Sequence, residues 1–473
     1  MLWIALAAAL WATGSRPARR AAWRGLGSMA AASTAANVIG KGLTGRRRPY
    51  AEIPALPRLR RVPRSSSFPS GHAANAAAFA IGAAIEMPSL AAPGIALASA
   101  VGASRVATGV HYPSDVLAGT AIGAAAGLAT LRWWPRRPAR PAAAIRPPRQ
   151  APASAAGEGL ALIVNTSAGT ASARLARRLA ADLPEATILE TSAGQDLAGA
   201  LRLAASGARI LGVAGGDGTV SAAAAVAVEA GLPLLVIPAG TFNHFAADLG
   251  IEGARDALAA LRDGEAVQAD LGLAGSRPFV NTSSTGLYVD LVNARRQLEG
   301  VLGKRLAEVV ALVGVLRRGR PHELILDGKR RRLWLYFAGN CRYEPQGMAP
   351  AYRPDLADGW LDIRVVEAAA LARSRLVAAV LTGTLDRSRV YRSWRTSSVD
   401  VRTADGQPIW LSTDGEVATA ESGFVHGKHP HKLMVYRRQG PLDAGHADVP
   451  DDALRVGHGH YREQQREIRH ELR

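Results

Sequence analysis

The sequence of 473 residues predicts a multidomain protein in which an all-α membrane helical bundle precedes a two-lobe α/β domain. A chain of this length exceeds one hydrophobic core and is expected to form two or three domains. Apolar, alanine-rich segments fill the first 132 residues, and from residue 158 short strands alternate with helices. The charge is also divided, because residues 1–150 hold 19 basic and 3 acidic residues while the whole chain has a net charge of +18.

Residues 1–132 are predicted to form the membrane domain. Most of their apolar segments are shorter than the ~20 residues that a span requires, so the prediction depends on the whole set. The arginines lie between these segments, which is typical of a membrane protein facing anionic lipid and argues against a nucleic-acid-binding protein. Small residues at helical spacing predict close helix packing. The segments are 1–13, 25–44, 72–87, 91–104 and 115–132, and the small residues are Gly25, Ser28, Ala32, Ala35 and Ala36.

The rest of the chain is predicted to hold a linker, a catalytic region and a tail. Residues 133–157 are rich in Pro, Arg and Ala, which is typical of a linker. Residues 158–440 begin with an alternation that predicts a parallel, doubly wound sheet, and beyond about residue 270 they favour a mainly antiparallel, β-rich lobe with helices near 287–317. The polar tail, 441–473, is predicted to be a surface helix or disordered. The first predicted strands are 160–164, 186–190, 209–214 and 234–237, and the helices between them are 168–182 and 219–230.

Three short blocks in the first region supply two histidines, three cations and one carboxylate. The cations suit a phosphate monoester, because they neutralise the phosphoryl group and the charge of its transition state. One histidine is suited to attack phosphorus if the other protonates the leaving oxygen, and the carboxylate fixes the tautomer of the attacking ring. One such block arises easily by chance, whereas three in order are specific. The blocks are Lys41 to Pro49 in the spacing K-x6-R-P, Pro69-Ser70-Gly71-His72, and Ser104-Arg105 followed by His111 and Asp115.

These blocks resemble the three motifs of the type 2 phosphatidic acid phosphatase superfamily. The resemblance implies that His111 becomes phosphorylated, that Asp115 orients it and that His72 is the general acid. It also implies a phosphatase that needs no metal or other cofactor. The family usually has six helices where this sequence shows five apolar segments, so we expect that the chain lacks an initial helix. The phosphate-binding residues implied by the resemblance are Lys41, Arg48, Ser70, Gly71 and Arg105.

A glycine-rich turn marks a second site in the α/β region. The strand predicted at 209–214 is followed by Gly215-Gly216-Asp217-Gly218-Thr219 and then by a helix. Backbone amides approach phosphate closely at glycine, and the helix dipole adds attraction. Asp217 would repel a bare phosphate, so we expect it to act through Mg²⁺ or by holding the loop.

This turn and four later segments resemble the catalytic domain of the diacylglycerol kinase family, which includes other lipid kinases. The resemblance implies an α/β nucleotide lobe, a β-rich lobe, and transfer of the γ-phosphate of ATP, with Mg²⁺, to a lipid hydroxyl. It makes Asp414 the base with Glu416 beside it, and Asp358 a structural metal ligand. A turn or helix-cap role is the structural alternative for each aspartate, and it stays open for Asp358 and Asp362. The later segments are Pro238–Ala246, Asp248–Gly250, Asp358–Asp362 and Asp414–Glu416, and the implied nucleotide-binding residues are Asn165, Gly215, Gly216, Asp217, Gly218, Thr219 and Thr241.

The sequence departs from that family in places that bear on nucleotide affinity. The first strand runs into Asn165-Thr166-Ser167-Ala168-Gly169, where a proline-containing turn with a lysine is usual. Ser221 and Ala222 stand where Asn and Glu are frequent, and His244 stands where an acid is common.

The sequence therefore predicts two lipid-phosphate enzymes in one chain, whose partners are membrane lipids, lipid phosphates and ATP, with no nucleic acid. Two alternatives remain open: a lipid kinase tethered by a catalytically inactive bundle, and a kinase of a soluble nucleotide such as NAD. A missing helix would favour the inactive bundle, whereas the intact phosphatase motifs argue against an inactive bundle.

The positive-inside rule predicts a multi-pass plasma-membrane protein with a cytoplasmic kinase and an extracytoplasmic phosphatase site. If the phosphatase motifs lie on one face, two groups of arginines fall on the opposite, cytoplasmic face. A third group lies on the motif face, where we expect some members to bind phosphate or headgroups. The cytoplasmic groups are Arg16, Arg19, Arg20, Arg24 and Arg132, Arg136, Arg137, Arg140, Arg146, Arg149; the third is Arg46, Arg47, Arg48, Arg58, Arg60, Arg61 and Arg64.

Overall fold

The computed structural model shows two compact units, Met1–Arg137 and Pro138–Arg473, and each is described by itself. It describes residues 2–439 except 14, 41–43, 50–64, 139, 167–169, 193, 241–242, 303–306, 308–309, 312–313, 316, 318, 347–350, 370–378 and 380–381. The predicted tail, 441–473, lies outside the described residues.

The first unit is helical, as the apolar segments predict. Helix α2 begins after Ser15, whose hydroxyl accepts the amide of Ala18 at 3.3 Å, and α5 begins with a proline, which suits the first turn. Within the described residues, two helical segments are long and apolar enough to cross a membrane, Pro88–Ala107 and Pro113–Trp133. The helices are α1 (Leu2–Ala12), α2 (Arg16–Ser33, continued by a π-helix over Thr34–Gly40), α3 (Gly71–Glu86), α4 (Ala91–Ala107, after a 3₁₀ turn over Pro88–Leu90) and α5 (Pro113–Trp133).

Small residues let α3 pack closely against α2 and α5. On the α2 side, Ala32 and Ala36 are buried against α3, as the predicted small-residue spacing requires. On the α5 side, a Cβ added at Gly119 would lie 2.3 Å from the carbonyl oxygen of Ser70, so only glycine permits this approach. The first turns of α3 and α5 are thereby held together.

The far end of α3 carries a buried ion cluster. The guanidinium groups of Arg20 and Arg24 both contact the carboxylate of Glu86, and Arg24 also donates to the hydroxyl of Thr130 at 3.0 Å. Since α3 has 16 residues, this cluster lies about 24 Å along the helix axis from Gly71. The cluster ties α2, α3 and α5 together at the end opposite the phosphatase motifs.

The second unit is one mixed sheet with helices packed on it. The first four strands are parallel, as predicted, and lie in the order β2-β1-β3-β4, and the later strands pair antiparallel with one another. The strands are β1 (Leu160–Asn165), β2 (Thr187–Thr191), β3 (Ile210–Gly215), β4 (Leu234–Pro238), β5 (Ala266–Ala274), β6 (Arg277–Phe279), β7 (Thr282–Gly286), β8 (His322–Leu326), β9 (Lys329–Asn340), β10 (Leu361–Glu367), β11 (Tyr391–Thr396), β12 (Val399–Thr403), β13 (Ile409–Thr413), β14 (Glu416–Ala420) and β15 (Gly423–Tyr436). The helices are α6 (Thr170–Asp182), α7 (Leu197–Ser206), α8 (Asp217–Ala230), α9 (His244–Asp248), α10 (Ala254–Asp263) and α11 (Leu287–Leu302), with a 3₁₀ turn over Leu385–Arg387.

The register brings the ends of the parallel strands to one edge. Val164 of β1 lies opposite Ala214 of β3, and Gly215 of β3 lies opposite Pro238 of β4. Strand β15 joins the two lobes, because it pairs in parallel with β4 and antiparallel with β5 and β12. The loops that follow β1, β3 and β4 therefore meet, and the described nucleotide-binding candidates, Asn165 and Gly215–Thr219, lie there.

Part of the segment predicted to be a linker belongs to the second unit and packs into its core. Ala142, Ala144 and Ala151 are buried in the same hydrophobic core as β1, β3 and β4. The amide of Ala142 donates to the carbonyl of Asp248 at 2.8 Å, and Ile145 bridges to Gln268. Alanine and isoleucine at these positions bury apolar surface. The Pro and Arg content of the segment nevertheless predicts a linker.

Two candidate active sites

The loops of the first unit bring all three phosphatase blocks together. The guanidinium of Arg48 donates to the carbonyl of Ser65 at 3.0 Å and to that of Val110 at 2.9 Å. The amide of Ser70 donates to the carbonyl of Asp115 at 2.9 Å. One residue from each block is therefore in contact with another block.

His111 is buried at the centre of this site. Its Nδ1 atom lies 2.7 Å from the carbonyl oxygen of Ser67 and 3.6 Å from the carboxylate of Asp115, while its Nε2 atom lies 3.4 Å from a guanidinium nitrogen of Arg48. A carbonyl oxygen only accepts hydrogen bonds, so Nδ1 must carry the proton, and Nε2 keeps its lone pair. This is the tautomer that a nucleophilic histidine needs.

Asp115 is fixed by more than His111. Its carboxylate accepts the amide of Tyr112 at 2.9 Å and a guanidinium nitrogen of Arg46 at 2.9 Å. Arg46 also stacks over the ring of Tyr112 at 4.2 Å, with its side chain 43% exposed. The sequence places Arg46 only among the arginines of the motif face, and its contact with Asp115 makes it a member of the site.

The remaining predicted phosphatase residues lie around this centre. Ser70 is buried, and its hydroxyl has no hydrogen-bond partner among the described residues. Gly71 starts α3, where a Cβ would lie 2.5 Å from the side chain of Asn37. His72 follows with an exposed side chain, and the half-buried Arg105 donates to the hydroxyl of Ser104 at 3.2 Å. Lys41 lies outside the described residues.

The glycine turn of the second unit follows β3, as predicted. A Cβ added at Gly240 would lie 2.4 Å from the Cα of Gly216, so the loops after β3 and β4 touch along their main chains. At the end of β1, the side-chain amide of Asn165 donates to the hydroxyl of Thr219 at 3.0 Å. This contact links a third loop to the first turn of α8. Thr241 lies outside the described residues.

Asp217 holds the loops of this site. Its carboxylate accepts the amides of His244 at 3.0 Å and Phe245 at 3.1 Å, and the side-chain amide of Asn281 at 3.0 Å. His244 and Phe245 start the short helix α9, so the carboxylate acts as its cap. Of the two roles expected for Asp217, the geometry matches the holding of the loop.

Asp414 occupies the two-residue turn between β13 and β14. Asp414 has a φ of 48° and Gly415 a φ of 88°, the combination that favours Asp-Gly in a tight hairpin. The Asp414 carboxylate accepts the amides of Val280 at 2.7 Å, Asn281 at 2.9 Å and Thr282 at 2.8 Å. Burial raises the pKa of Asp414 to about 6, although these amides act to lower it.

The kinase residues form one connected group. Asn281 links the two aspartates, because its backbone amide binds Asp414 and its side chain binds Asp217. The exposed side chain of Glu416 lies against Gly218, where an added Cβ would be 3.2 Å from its carboxylate. Asp414 and Glu416 are thus brought beside the glycine turn.

A buried arginine supports this group from behind. Arg353 is paired with Asp248 at 2.8 Å and donates to the side-chain oxygen of Asn281 at 2.9 Å and to the carbonyls of Val280 and Asn340. Its side chain is 0% exposed. The sequence does not single out Arg353 or Asn281, because 72 positions separate these two partners and no local spacing relates them.

The predicted metal ligand Asp358 has protein donors around it. Its carboxylate accepts the amides of Arg342 and Trp360 and the ammonium of Lys428 at 3.1 Å. With that ammonium in place, the group does not fit a metal ion. Asp362 likewise accepts the amide of Tyr343 at 2.9 Å, as a structural role requires.

Comparison with known proteins identifies both regions. Residues 21–139 match the family model of the PAP2 superfamily, and residues 159–274 match that of the diacylglycerol kinase catalytic domain. These two matches are consistent with a fusion of a PAP2 region and a diacylglycerol kinase catalytic region in one chain. The resemblances inferred from the motifs are thereby confirmed. Together with the two apolar helical segments, the PAP2 match indicates membrane association.

Two relatives from Mycobacterium tuberculosis (strain ATCC 25618 / H37Rv) match different parts of the chain. A decaprenylphosphoryl-5-phosphoribose phosphatase is 40% identical over 115 residues, which are 24% of this chain and 60% of that protein. A diacylglycerol kinase is 32% identical over 174 residues, which are 34% of this chain and 56% of that protein. This chain thus spans about three fifths of either relative's length. A crystal structure of a diacylglycerol kinase from Bacillus anthracis str. Sterne covers 59% of this chain and 97% of its own, with 19% identity and a TM-score of 0.41.

Proposed function

We propose that the chain is a bifunctional lipid-phosphate enzyme. Its PAP2 region removes phosphate from a lipid phosphate through a phosphohistidine, and its kinase region transfers phosphate from ATP to a lipid hydroxyl such as that of diacylglycerol. The observation that carries the first activity is the tautomer of His111, set by the 2.7 Å contact between Nδ1 and Ser67. The observation that carries the second is the Asp414 carboxylate beside the glycine turn.

The phosphatase reaction begins with attack of the Nε2 lone pair of His111 on phosphorus. The P–O bond to the lipid breaks, and His72 donates a proton to the departing oxygen. Arg48 lies beside Nε2, so its charge is positioned to stabilise the phosphoryl oxygens, with Arg105 and Lys41 as the further cations. Water then hydrolyses the phosphohistidine, and His72 accepts its proton.

The carboxylates of the first unit support a reaction without a metal. Among the residues described there, the acids are Glu86 and Asp115, and each is paired with arginine. The positive charge at this site comes from side chains, and guanidinium groups neutralise the charge of a bound phosphate. A metal-free phosphatase therefore matches the charges that surround His111.

The kinase reaction uses the glycine turn for ATP and Asp414 for the lipid. Amides of Gly216 and the first turn of α8 form a cradle for phosphate, and Asn165 and Thr219 brace it. A carboxylate with a pKa of about 6 is mostly ionised at neutral pH, so it can accept the proton of the lipid hydroxyl as oxygen attacks the γ-phosphorus.

Mg²⁺ belongs to the nucleotide in this proposal. Bound as ATP·Mg²⁺, it keeps several waters and neutralises phosphate charge. Asp217 and Asp414 accept hydrogen bonds from protein groups, and the Glu416 carboxylate lies beside Gly218. Glu416 would therefore be near an ion that is bound with the nucleotide phosphates at the glycine turn.

The relatives suggest substrates for each region. Their names point to a polyprenyl-phosphate-linked sugar phosphate for the phosphatase and to diacylglycerol for the kinase. We place the phosphatase site outside and the kinase in the cytoplasm of a multi-pass membrane protein, because the Arg20 and Arg24 cluster lies at the end of α3 opposite the site. Separation across the bilayer would keep opposed activities from wasting ATP.

The phosphatase proposal is tested by trapping the intermediate. The full chain, in detergent with EDTA, is mixed with phosphatidate, quenched in alkali and digested for mass spectrometry. We expect phosphate on His111 in the wild type, less of it in His72→Ala, because the departing oxygen is then not protonated, and none in His111→Ala. Phosphate release by His111→Ala at the wild-type rate would end the assignment.

A further inference from the structure

A buried ammonium group lies inside the kinase unit. Lys428 on β15 has a side chain that is 3% exposed. Its Nζ atom lies 2.8 Å from Asp270, 3.1 Å from Asp358 and 2.6 Å from the carbonyl oxygen of Trp360. The sulfur of Cys341 is a fourth neighbour at 3.2 Å.

The same atoms would otherwise suit a divalent ion. Ligand atoms of Asp270, Cys341 and Asp358 all lie within 4.8 Å of one another, and the Trp360 carbonyl adds an oxygen. Two carboxylates and a carbonyl are the ligands that hard cations prefer. An ammonium, however, has three N–H groups, and three oxygens receive them here.

The charges favour the ammonium. Burial alone would favour the neutral amine, but the neighbouring carboxylates raise the pKa of Lys428 above its ordinary value. Burial also raises the pKa of the Cys341 thiol, so its sulfur is protonated and is a poor metal ligand. The ion pair is therefore charged, and the thiol is neutral.

Backbone amides also donate hydrogen bonds to both carboxylates. Asp270 accepts the amides of His431 at 2.8 Å and Gly359 at 2.9 Å. Asp358 accepts those of Arg342 at 2.8 Å and Trp360 at 2.9 Å. The carboxylate oxygens are thus held in place around Nζ from β5, from β15 and from the loop between β9 and β10.

We propose that Lys428 is a built-in cation that takes the place of a structural divalent ion between Asp270, Asp358 and the Trp360 carbonyl. The kinase unit then needs no metal at Asp358. The ammonium fastens the loop between β9 and β10 to β5 and β15. That loop carries Arg353, which supports the segment that binds Asp414.

The test uses the full chain without ATP, with and without EDTA, and Mn²⁺ as the probe. Thermal unfolding of the kinase unit and Mn²⁺ binding by equilibrium dialysis are measured. Lys428→Ala leaves a space lined by two carboxylates, whereas Lys428→Met fills that space without charge. Lys329→Ala, an exposed lysine on β9 of the same unit, is the matched control.

We expect the wild type and Lys329→Ala to unfold at the same temperature in EDTA and in Mn²⁺. Lys428→Ala should unfold on the order of 10 °C lower, because two buried carboxylates lose their cation. It should gain one Mn²⁺ per chain and recover at least half of that loss, whereas Lys428→Met should gain neither.

Three results would overturn the proposal: a wild type that loses stability in EDTA, a Lys428→Ala variant as stable as the wild type, or a destabilised variant that Mn²⁺ does not rescue. If Lys428→Ala does not fold at all, the wild-type comparison in EDTA still decides. These readouts are independent of the proposed activities.

Discussion

The two sites of this chain hold their reacting groups in different ways. In the PAP2 region, His111 and Asp115 are surrounded by the side chains of Arg46 and Arg48, so the local field comes from side-chain cations. In the kinase region, the Asp414 carboxylate is held by three backbone amides. The phosphatase site therefore depends on individual charges, and the kinase site depends on the path of the main chain and on what supports it.

Removing the support of the kinase site should give the largest loss of stability. Arg353→Met leaves Asp248 buried without its partner, which should lower the free energy of unfolding of the kinase unit by about 3–5 kcal/mol. Kinase activity should fall with it, because Val280 and Asn281 lose the group that holds them, and phosphatase activity should persist. Denaturant unfolding of the full chain measures the change.

The matched control is an exposed pair in the same unit. Arg402 and Asp400 are 65% and 32% exposed, so Arg402→Met should cost about 0–1 kcal/mol. Equal losses for the two variants would show that the buried arginine has no special role in the kinase region.

The next largest effects should come from glycines at close main-chain contacts, one in each site. Alanine at Gly119 would clash with Ser70, and alanine at Gly240 would clash with Gly216, so each change should cost about 1–3 kcal/mol. Gly119→Ala should impair phosphate release alone, and Gly240→Ala should impair lipid phosphorylation alone. Gly27→Ala and Gly207→Ala meet no atoms within 4 Å and serve as controls. Parallel loss of both activities in either variant would contradict the separation.

The pH dependence should follow the pKa of Asp414. Since the proposed base must be ionised, kcat/KM of the kinase should fall about tenfold per pH unit below a pH of about 6. The contribution of Asp414 to the free energy of unfolding has the opposite pH dependence. The native state keeps this proton up to about pH 6, whereas an unfolded aspartate loses it at a pH of about 3.9. The contribution therefore weakens as the pH rises between these two values. Thermal unfolding of wild type and Asp414→Asn across this range checks the difference; a kinase profile flat down to about pH 5 would refute it.

A single exposed charge should give the smallest effect. Arg46→Gln removes one partner of Asp115, and an exposed pair contributes about 0.2–1 kcal/mol, so phosphatase kcat should fall by about fivefold or less. Arg47→Gln, at the exposed neighbouring position, is the control; the same response from both variants would remove Arg46 from the site.

Much of this organisation was predictable because it is encoded locally. Apolar segments mark the helices described in the first unit, except that α2 begins at Arg16 and so includes arginines predicted to lie before the segment 25–44. The glycine turn follows a strand, so the register of parallel strands brings Asn165 and Gly215 to one edge. Helix α7, Leu197–Ser206, is not among the predicted elements, although its Ala and Leu residues favour a helix.

The contacts that complete each site were not predictable, because they join distant positions. Ser67 acts on His111 through a carbonyl, which any residue type supplies. Arg353 reaches Asn281, and Lys428 reaches Asp270, across the sheet. The sequence places an acid at Asp358 but cannot show that a lysine 70 positions away lies beside it.

The most direct test of the two-enzyme account is one mass-spectrometric measurement on membranes containing the full chain. A mixed panel of lipid alcohols and lipid phosphates is incubated with ATP and Mg²⁺, using wild type, His111→Ala and Asp414→Asn. The account predicts that His111→Ala loses dephosphorylated products only and that Asp414→Asn loses phosphorylated products only. Loss of neither product, or of both in each variant with the protein folded, would contradict two independent active sites.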